Sequence, residues 1–441
     1  MNQKAYRSHT QPHMSLIATT LILLKEDVPS LRSLTDSLES VVAINNYGRS
    51  GSVFLQSLLD WHPDTISTPG IYLSKFYPFF EKFGSLTASQ LIDQFIHDFE
   101  IMFDARRPCL AYSPSMDAGE SCGFTNLGKE RNQSHRVDRQ LFRSYMFEIL
   151  ADCDGPVPRK LFFKAIHVAY RGALGQPGRL HKNMRIVYPL HTPIPSKYTE
   201  QFAEDFPDAK CVLMVRRPID TTESMVRHLK RRGEICFFLY GFLYQSLFGG
   251  ASPAPQLDCK AVRLEDLHSS PLETMQRLCA WLDLEMDDSL VQSTINGKEW
   301  WGDSDSLGVN GFNPSVVAYE RHRGQVTAID RFRMNVLLAK KNAKWGYEVA
   351  PADRSILRRL MILPLLFLPF VMEIDFLRAE RNERMRGTIS GAAAEPLPRP
   401  LMSLLWRFGA GTILRYLDIR RSLIVAWCEM FDSSGSEVQL L

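Results

Sequence analysis

The stretch that decides the fold is VVAINNYGRSGSVFLQ, residues 41–56. An apolar run ends at Ile44, a short polar turn with Gly48 and Gly51 follows, and a second apolar run begins at Val53. This order predicts a strand, a glycine-containing loop and a helix. Such a loop binds phosphate groups, because glycine lets the backbone approach an anion while the N–H groups of the new helix point at it.

The side chains of this loop favour an anion site. Arg49 adds a positive charge, and Ser50 and Ser52 add hydroxyl donors. The loop for ATP with magnesium, GxxxxGK[ST], is absent because no lysine follows Gly51. We therefore expect a phosphate-like group other than ATP. The alternative is a tight turn that only connects the strand to the helix.

A second segment, CVLMVRRPIDTTESMVRHL at residues 211–229, has a related pattern. An apolar run of buried-strand length ends at Arg216, and Asp220 with Glu223 predicts the start of a helix. Ser224 then falls in the first turn of that helix, eight residues after Arg216. An arginine at a strand end and a serine at a helix start can share one phosphate. The alternative is an ion-paired arginine and a solvated serine.

A third segment, residues 262–284, reads VRLEDLHSSPLETMQRLCAWLDL. It predicts a strand, an acidic turn and a helix that begins with a capping box of Ser270 and Glu273 and has Pro271 at its first position.

Together the three segments resemble the sulfotransferases that use 3′-phosphoadenosine-5′-phosphosulfate (PAPS), over about residues 40–350. The family's [KR]-S-G-[ST] loop holds the 5′-phosphosulfate, and its R-x7-S element, here Arg216 and Ser224, holds the 3′-phosphate. Arg323 and Gly324 fall near the position of the family's late R-x-G loop, which also contacts the 3′-phosphate. The residues that the resemblance places at the 5′-phosphosulfate are Arg49, Ser50, Gly51, Ser52 and Val53.

The resemblance also implies the chemistry. PAPS is the co-substrate and no metal is needed. Arg49 stands at the bridging oxygen, where it supplies charge and hydrogen bonds rather than a proton. The general base implied is His191, 25 residues before Arg216. His167 is the rival for this role, and a carboxylate such as Glu265 or Asp266 is a further alternative.

The order of apolar runs predicts an α/β fold, with a central, mostly parallel sheet flanked by helices and a helical C-terminal extension. We expect an N-terminal extension over residues 1–40 and the sulfotransferase-like domain over residues 41–350. Residues 104–139, rich in arginine and broken by glycine and proline, are predicted to be a lid insertion rather than core. Further candidate strands are Leu161 to Phe163 and Ile186 to Leu190.

Composition excludes several classes of protein. The 441 residues carry a formal net charge of only +3, which does not favour a nucleic-acid partner. None of the eight cysteines forms a CxxC pair, so a structural zinc site is not expected and a reducing, cytoplasmic location is favoured. The early apolar run at residues 14–24 is shorter than the about 20 residues that span a bilayer, and we interpret it as a packing helix.

Residues 351–441 form a predicted helical region that associates with membranes. The run from Leu360 to Met372 contains Pro364 and Pro369 and is flanked by arginines, which is typical of a segment lying in the interface of an anionic membrane. The alternative is that the region packs on the catalytic domain or in a homodimer. We expect truncation near residue 354 to leave nucleotide binding intact.

The sequence thus favours a PAPS-dependent sulfotransferase that acts on a hydroxyl or amine. A glycan, a lipid, a small alcohol or a peptide tyrosine all fit as the acceptor. The alternatives are a nucleotide kinase-like enzyme with a phosphate loop and a non-catalytic, membrane-associated protein with the same fold.

Overall fold

We describe the fold from a computed structural model. The structure describes residues 30–46, 49–111, 118–175, 177–190, 196–232, 256–303, 308–318, 324–385, 413–414, 416–428, 430 and 439–441. A six-stranded parallel sheet in the order β2-β3-β1-β4-β5-β8 forms its centre, and β6 and β7 form a small antiparallel pair. The strands are β1 Val41–Asn46, β2 Thr65–Ser67, β3 Arg185–Leu190, β4 Lys210–Val215, β5 Asp258–Arg263, β6 Thr294–Ile295, β7 Lys298–Glu299 and β8 Gln439–Leu440.

Helices cover the sheet and continue beyond it. Those in the first half of the chain are α1 Leu31–Ser37, α2 Ser52–Leu59, α3 Phe76–Phe83, α4 Ala88–Asp98, α5 Ala118–Ser121, α6 Arg139–Leu150, α7 Arg159–Ala173 and α8 Ser196–Asp205. Those that follow are α9 Pro218–Arg232, α10 Leu264–Ser269, α11 Pro271–Leu282, α12 Ala328–Leu337, α13 Ala339–Lys344, α14 Ile356–Ile362, α15 Val371–Met385 and α16, residues 416–428. The predicted α/β class with a parallel sheet is confirmed.

The sheet separates two apolar clusters, because side chains of a strand alternate between its faces. Val41 and Ala43 of β1 face a large cluster that is rich in aromatic rings from α3, α4, α6 and α7. Val42 and Ile44 face a second cluster formed by α2, α10 and α11. Both faces of β1 are therefore buried, as expected for a central parallel strand.

Three local predictions were wrong. Leu161 to Phe163 lie in α7 rather than in a strand, since a run of three apolar residues has no period and α7 is buried on every side from Leu161 to Ala173. The helix after β4 begins at Pro218, which moves Ser224 from the first turn to the second. Ser270 precedes α11 without a side-chain capping bond, although Pro271 does occupy the first turn.

The segment between Phe103 and α6 joins the main core. Ala105, Cys109, Phe124 and Leu127 are all buried in the aromatic-rich cluster, and α1 of the predicted N-terminal extension packs there through Leu34. The expectation that residues 104–139 lie outside the core was thus wrong for these side chains, while a role as a lid stays a prediction.

The C-terminal region shares a core with the catalytic domain. Ile219, Val226 and Leu229 of α9 belong to one buried cluster with residues of α12, α14, α15 and α16. In addition, β8 extends the main sheet beside β5. The proposed boundary near residue 350 therefore does not separate two independent cores.

Candidate active site

The phosphate loop and Arg216 meet because of the sheet topology. Strands β1 and β4 are parallel neighbours, with Asn46 opposite Met214. The loop after β1 and the turn after β4 consequently leave the same edge of the sheet side by side. Adjacent strands whose connections run in opposite directions open a crevice at this edge, which is where α/β proteins bind ligands.

The backbone of the loop is strained in a way that suits an anion. Arg49 has a φ of +36°, a conformation that costs free energy for a residue other than glycine and that clusters at functional sites. Gly51 precedes α2 with a φ of +86°, and a Cβ atom there would lie 2.4 Å from Cδ1 of Leu264. The positive φ therefore favours glycine, and any side chain here would also have to displace Leu264. Gly48 lies outside the described residues.

Arg216 is a buried cation with unused donors. The residue is only 7% exposed, and its Nη1 donates to the carbonyl oxygen of Arg49 at 3.4 Å. Its Nε and Nη2 have no hydrogen-bond partner within the described part of the chain, and neither has the buried hydroxyl of Ser50. Burial lowers the pKa of Arg216 and outweighs the nearby carboxylates of Glu265 and Asp220, which raise it, while the charge of Arg49 lowers it. Unpaired buried donors are costly, so this arrangement is complementary to an anion.

Arg49 itself makes an ion pair that the sequence does not reveal. Its Nη1 lies 2.9 Å from Oδ2 of Asp303, and both side chains are partly exposed. The two residues are 254 positions apart. No local pattern signals such a contact, because it is created only when the segment after β7 folds back over the loop.

Two carboxylates considered as alternative bases are already engaged. Glu265 accepts hydrogen bonds from the backbone N–H of Arg217 at 3.0 Å and from the Tyr347 hydroxyl at 2.9 Å. Asp266 is held by the guanidinium of Arg263 at 2.6 and 2.8 Å. These contacts fix the turn that carries Arg216 and favour a positioning role for Glu265.

The helix after Arg216 carries further polar groups. Ser224 is largely buried in α9, and the preceding residue, Glu223, is paired with Arg331 of α12. Burial raises the pKa of Asp220 in the first turn of α9. Gly324 has a φ of +111° and lines an open cleft together with Arg331 and Arg358, while Arg323 lies outside the described residues.

An aromatic pair stands beside the loop and was missed in the sequence. Phe54 of α2 stacks on His268 of α10 with ring centroids 4.6 Å apart, and Phe312 meets Phe54 edge-on. Burial, and then the charge of Arg216, lowers the pKa of His268 to about 4. His268 is therefore neutral at pH 7. The position of Phe54, five residues after Arg49, is the signal that could have indicated a ring next to the loop.

The two predicted histidine bases have different outcomes. His191 lies outside the described residues. His167 is fully buried in the middle of α7, and its Nδ1 donates to the carbonyl oxygen of Phe163 at 2.8 Å. Burial lowers the pKa of His167 to about 4. Complete burial weighs against contact with an acceptor.

Trp300 and Trp301 serve the packing of the segment before α6. Their indole N–H groups donate to the carbonyl oxygens of Cys122 and Gly128, both at 2.8 Å. Across the described ranges, no group of three or more histidine, cysteine, aspartate or glutamate side chains is arranged to hold a metal ion.

The comparison with known families identifies the class of protein. The profile of the sulfotransferase family matches residues 44–288, more than half of the chain. The chain therefore belongs to the sulfotransferase family. The match includes the phosphate loop, Arg216, Ser224 and His268.

Two solved sulfotransferase domains are among the structures to which this chain is similar. One is the sulfotransferase domain from the Synechococcus PCC 7002 olefin synthase, with 14% identity, a TM-score of 0.40, and coverage of 71% of this chain and 96% of that domain. Another is the sulfotransferase domain from the curacin biosynthetic pathway, with 15% identity, a TM-score of 0.28, and coverage of 74% and 98%. No curated protein sequence matches the chain significantly.

Proposed function

We propose that this sulfotransferase takes its sulfuryl group from PAPS and transfers it to a hydroxyl or amine. The observation that carries the proposal is the buried Arg216, whose Nε and Nη2 lack partners among the described residues, next to the loop of Arg49 and Ser50. PAPS carries two anionic groups on its ribose, a 5′-phosphosulfate and a 3′-phosphate. Two separate clusters of donors could bind them.

The two clusters have distinct roles in this proposal. The loop from Arg49 to Val53, at the start of α2, binds the 5′-phosphosulfate with backbone N–H groups and the hydroxyls of Ser50 and Ser52. Arg216 and Ser224 bind the 3′-phosphate, and Arg323 with Gly324, which precede α12 in the sequence, are the further residues proposed to bind it. A hydrogen bond from the guanidinium of Arg216 to a phosphate contributes more binding free energy than a neutral hydrogen bond, because both groups are ionised.

The reaction is an in-line displacement at sulfur. The acceptor oxygen or nitrogen forms a bond to sulfur while the bond from sulfur to the 5′-phosphate oxygen breaks, and 3′-phosphoadenosine 5′-phosphate (PAP) leaves. Arg49 stabilises the negative charge that develops on the leaving oxygen. The proton of the acceptor passes to a base, for which His191 is the first candidate and His167 the second. The glycan, lipid, small-molecule or peptide acceptor, the homodimer and the cytoplasmic location stay predictions.

Ligand-induced stabilisation tests the donor. PAP without metal should raise the unfolding temperature, because a ligand that binds only the folded state stabilises it by mass action. AMP, which lacks the 3′-phosphate, should raise it less. The Arg216→Gln variant should lose this discrimination, with PAP affinity lowered about 10- to 150-fold.

Arg217→Gln is the matched control. This neighbouring arginine is more exposed and pairs with Asp220, so its removal should leave the preference for PAP unchanged. Equal preference for PAP in the Arg216→Gln variant and the parent would contradict the proposed 3′-phosphate site. Stabilisation by ATP with magnesium, but not by PAP, would favour the kinase-like alternative instead.

A further inference from the structure

The C-terminal region exposes an unusual share of apolar side chains. Twelve of the eighteen large apolar residues that are exposed in the described ranges lie between positions 356 and 425. Contiguous exposed apolar patches mark interaction sites in soluble proteins. We name this set the C-terminal apolar face; its members are Ile356, Leu357, Leu360, Met361, Leu363, Phe367, Leu368, Val371, Leu414, Leu417, Ile424 and Val425.

The helices that carry this face are apolar on their inner side as well. Ile362 of α14 and Ile419 and Leu423 of α16 are buried against α9 and α12. A surface helix in water normally turns a polar side outward. In α16 the outward positions include Leu417, Ile424 and Val425. The outer side of α16 therefore combines apolar side chains with the exposed Asp418 and Arg421, as is typical of a helix at the boundary between water and an apolar phase.

The tip between α14 and α15 satisfies its own backbone. Residues 363–370 leave the regular α-helix at a stretch that contains Pro364 and Pro369. Five consecutive carbonyl groups there accept hydrogen bonds from buried or partly buried side chains: those of Leu365, Leu368 and Pro369 from Arg333, those of Leu366 and Leu368 from Arg420, and that of Phe367 from Tyr416.

These hydrogen bonds would allow the irregular tip to enter an apolar phase. Irregular backbone is tolerated in hydrocarbon only where protein groups satisfy its carbonyls, since no water is available to do so. The Tyr416 hydroxyl lies 2.9 Å from the Phe367 oxygen, and Arg420 Nη1 lies 3.0 Å from the Leu366 oxygen. At the same tip the side chains of Phe367 and Leu368 are 60% and 55% exposed. The tip carbonyls are thus bonded to protein donors while the apolar side chains face outward.

The charges around the face match an anionic surface. No charged residue occurs from Leu360 to Met372. On the helices next to the tip and just before them, the exposed arginines Arg354, Arg378 and Arg421 outnumber the exposed acids Asp375 and Asp418, and Arg378 lies 3.8 Å from Asp375. An apolar surface with a basic rim is typical of segments that lie in the interface of anionic membranes.

We propose that the C-terminal apolar face docks on an anionic lipid bilayer and inserts its tip, led by Phe367 and Leu368, without crossing it. The stretch Ile356–Ala379 is apolar and long enough to be a candidate membrane span by length and composition. The break at residues 363–370 divides it, however, and Glu373 is buried against Arg420 in the body of the protein. The segment is thus divided by irregular backbone and anchored to the body of the protein, which does not fit a single spanning helix.

Vesicle sedimentation of the full-length protein tests the proposal. The protein should sediment with phosphatidylcholine vesicles that contain phosphatidylglycerol, and less with phosphatidylcholine alone or at high salt. The double variant Phe367→Ser/Leu368→Ser should bind at least about tenfold more weakly, since it removes two inserted apolar side chains. Leu272→Ser/Val291→Ser is the matched control, because these residues are 57% and 46% exposed on α11 and on the 3-10 turn Asp288–Val291, and it should bind as the parent does.

Several results would overturn the proposal. One such result is a parent protein that does not sediment with anionic vesicles. Another is a control variant that loses as much vesicle binding as the tip variant. A parent dimer that the tip variant converts to monomers, without vesicle binding, would show that a second copy covers the face. Binding that appears only after deletion of residues 1–29 would show that the early apolar run covers it. An unchanged unfolding temperature of the tip variant establishes that it is folded, independently of whether PAP binds.

Discussion

The phosphate loop and the C-terminal tip place their side chains in opposite ways. At the loop, polar atoms of Arg216 and Ser50 are buried without a partner among the described residues. At the tip, apolar atoms of Phe367 and Leu368 are exposed to solvent. Each arrangement costs free energy in the isolated protein, because a buried donor without an acceptor and an apolar side chain exposed to water are both unfavourable.

The comparison shows how departures from good packing can indicate a ligand. The free energy of unfolding alone would favour pairing Arg216 and covering Phe367. An anion would satisfy the first site, and an apolar phase would satisfy the second. Helix α9 connects the two regions, because it follows Arg216 directly and buries Ile219 and Val226 in the C-terminal cluster.

The largest effect is expected from removing residues 356–441. Truncation exposes Ile219, Val226 and Leu229 of α9 and deletes β8 from the sheet. Burial of three such side chains contributes about 5 kcal/mol, so we expect loss of cooperative folding rather than the intact nucleotide site that the sequence suggested. Thermal and urea unfolding measure this effect. A truncated protein that unfolds like the parent would show that the two regions are independent after all.

Arg49→Ala should lower turnover by a factor of about 10² to 10³, the usual effect of losing one donor that stabilises developing charge. The unfolding temperature should change little, because Arg49 is partly exposed and its ion pair with Asp303 is worth little in water. Steady-state kinetics with PAPS provide the measurement. Arg378→Ala at the C-terminal rim is the control, and equal turnover in the two variants would contradict the loop assignment.

Acid stability distinguishes a packing role for His167 from a catalytic one. The folded protein holds the pKa of this buried imidazole at about 4, below the value of about 6.5 expected after unfolding. Unfolding therefore takes up a proton between these pH values, and stability is lost as pH falls. The His167→Phe variant should escape a loss of about 2 kcal/mol between pH 7 and 5.

Turnover of this variant at pH 7 supplies the second measurement. We expect it to stay near that of the parent, because the imidazole is enclosed by α7 and its neighbours. A collapse of turnover at an unfolding temperature like that of the parent would instead favour His167 as the base. The matched variant, His191→Ala, should lower turnover without weakening PAP binding.

Much of the fold could be predicted because its signals are local. The run before Arg49 and the run before Arg216 each have the length of a buried strand, and parallel pairing then brings their ends together. The helical state of Leu161 to Phe163 could not be predicted, because a short apolar run buried on all sides has no period. The ion pair of Arg49 and Asp303 depends on tertiary folding alone.

The C-terminal region shows a second limit of the sequence. Its apolar run predicted either packing or a membrane contact as alternatives, whereas the structure gives the same helices a buried side and an exposed side. The composition of the apolar run does not show which of its residues lie on the buried side of a helix and which on the exposed side. The hydrogen bonds to the tip carbonyls could not be predicted either, because their donors are distant in the sequence. Arg333 is 32 residues from Leu365, and Arg420 is 54 residues from Leu366.

The smallest effect is expected from Asp303→Asn, which tests how the loop is held before a donor arrives. The carboxylate lies 2.9 Å from Nη1 of Arg49 and repels any anion that approaches the same guanidinium. Removing its charge should tighten PAP binding up to about fivefold, the range expected for a partly exposed pair. Calorimetric titration measures the change, with Asp375→Asn on α15 as the control. Weaker binding would instead show that Asp303 positions Arg49 for the donor, and lost turnover with unchanged PAP affinity would assign it the acceptor's proton.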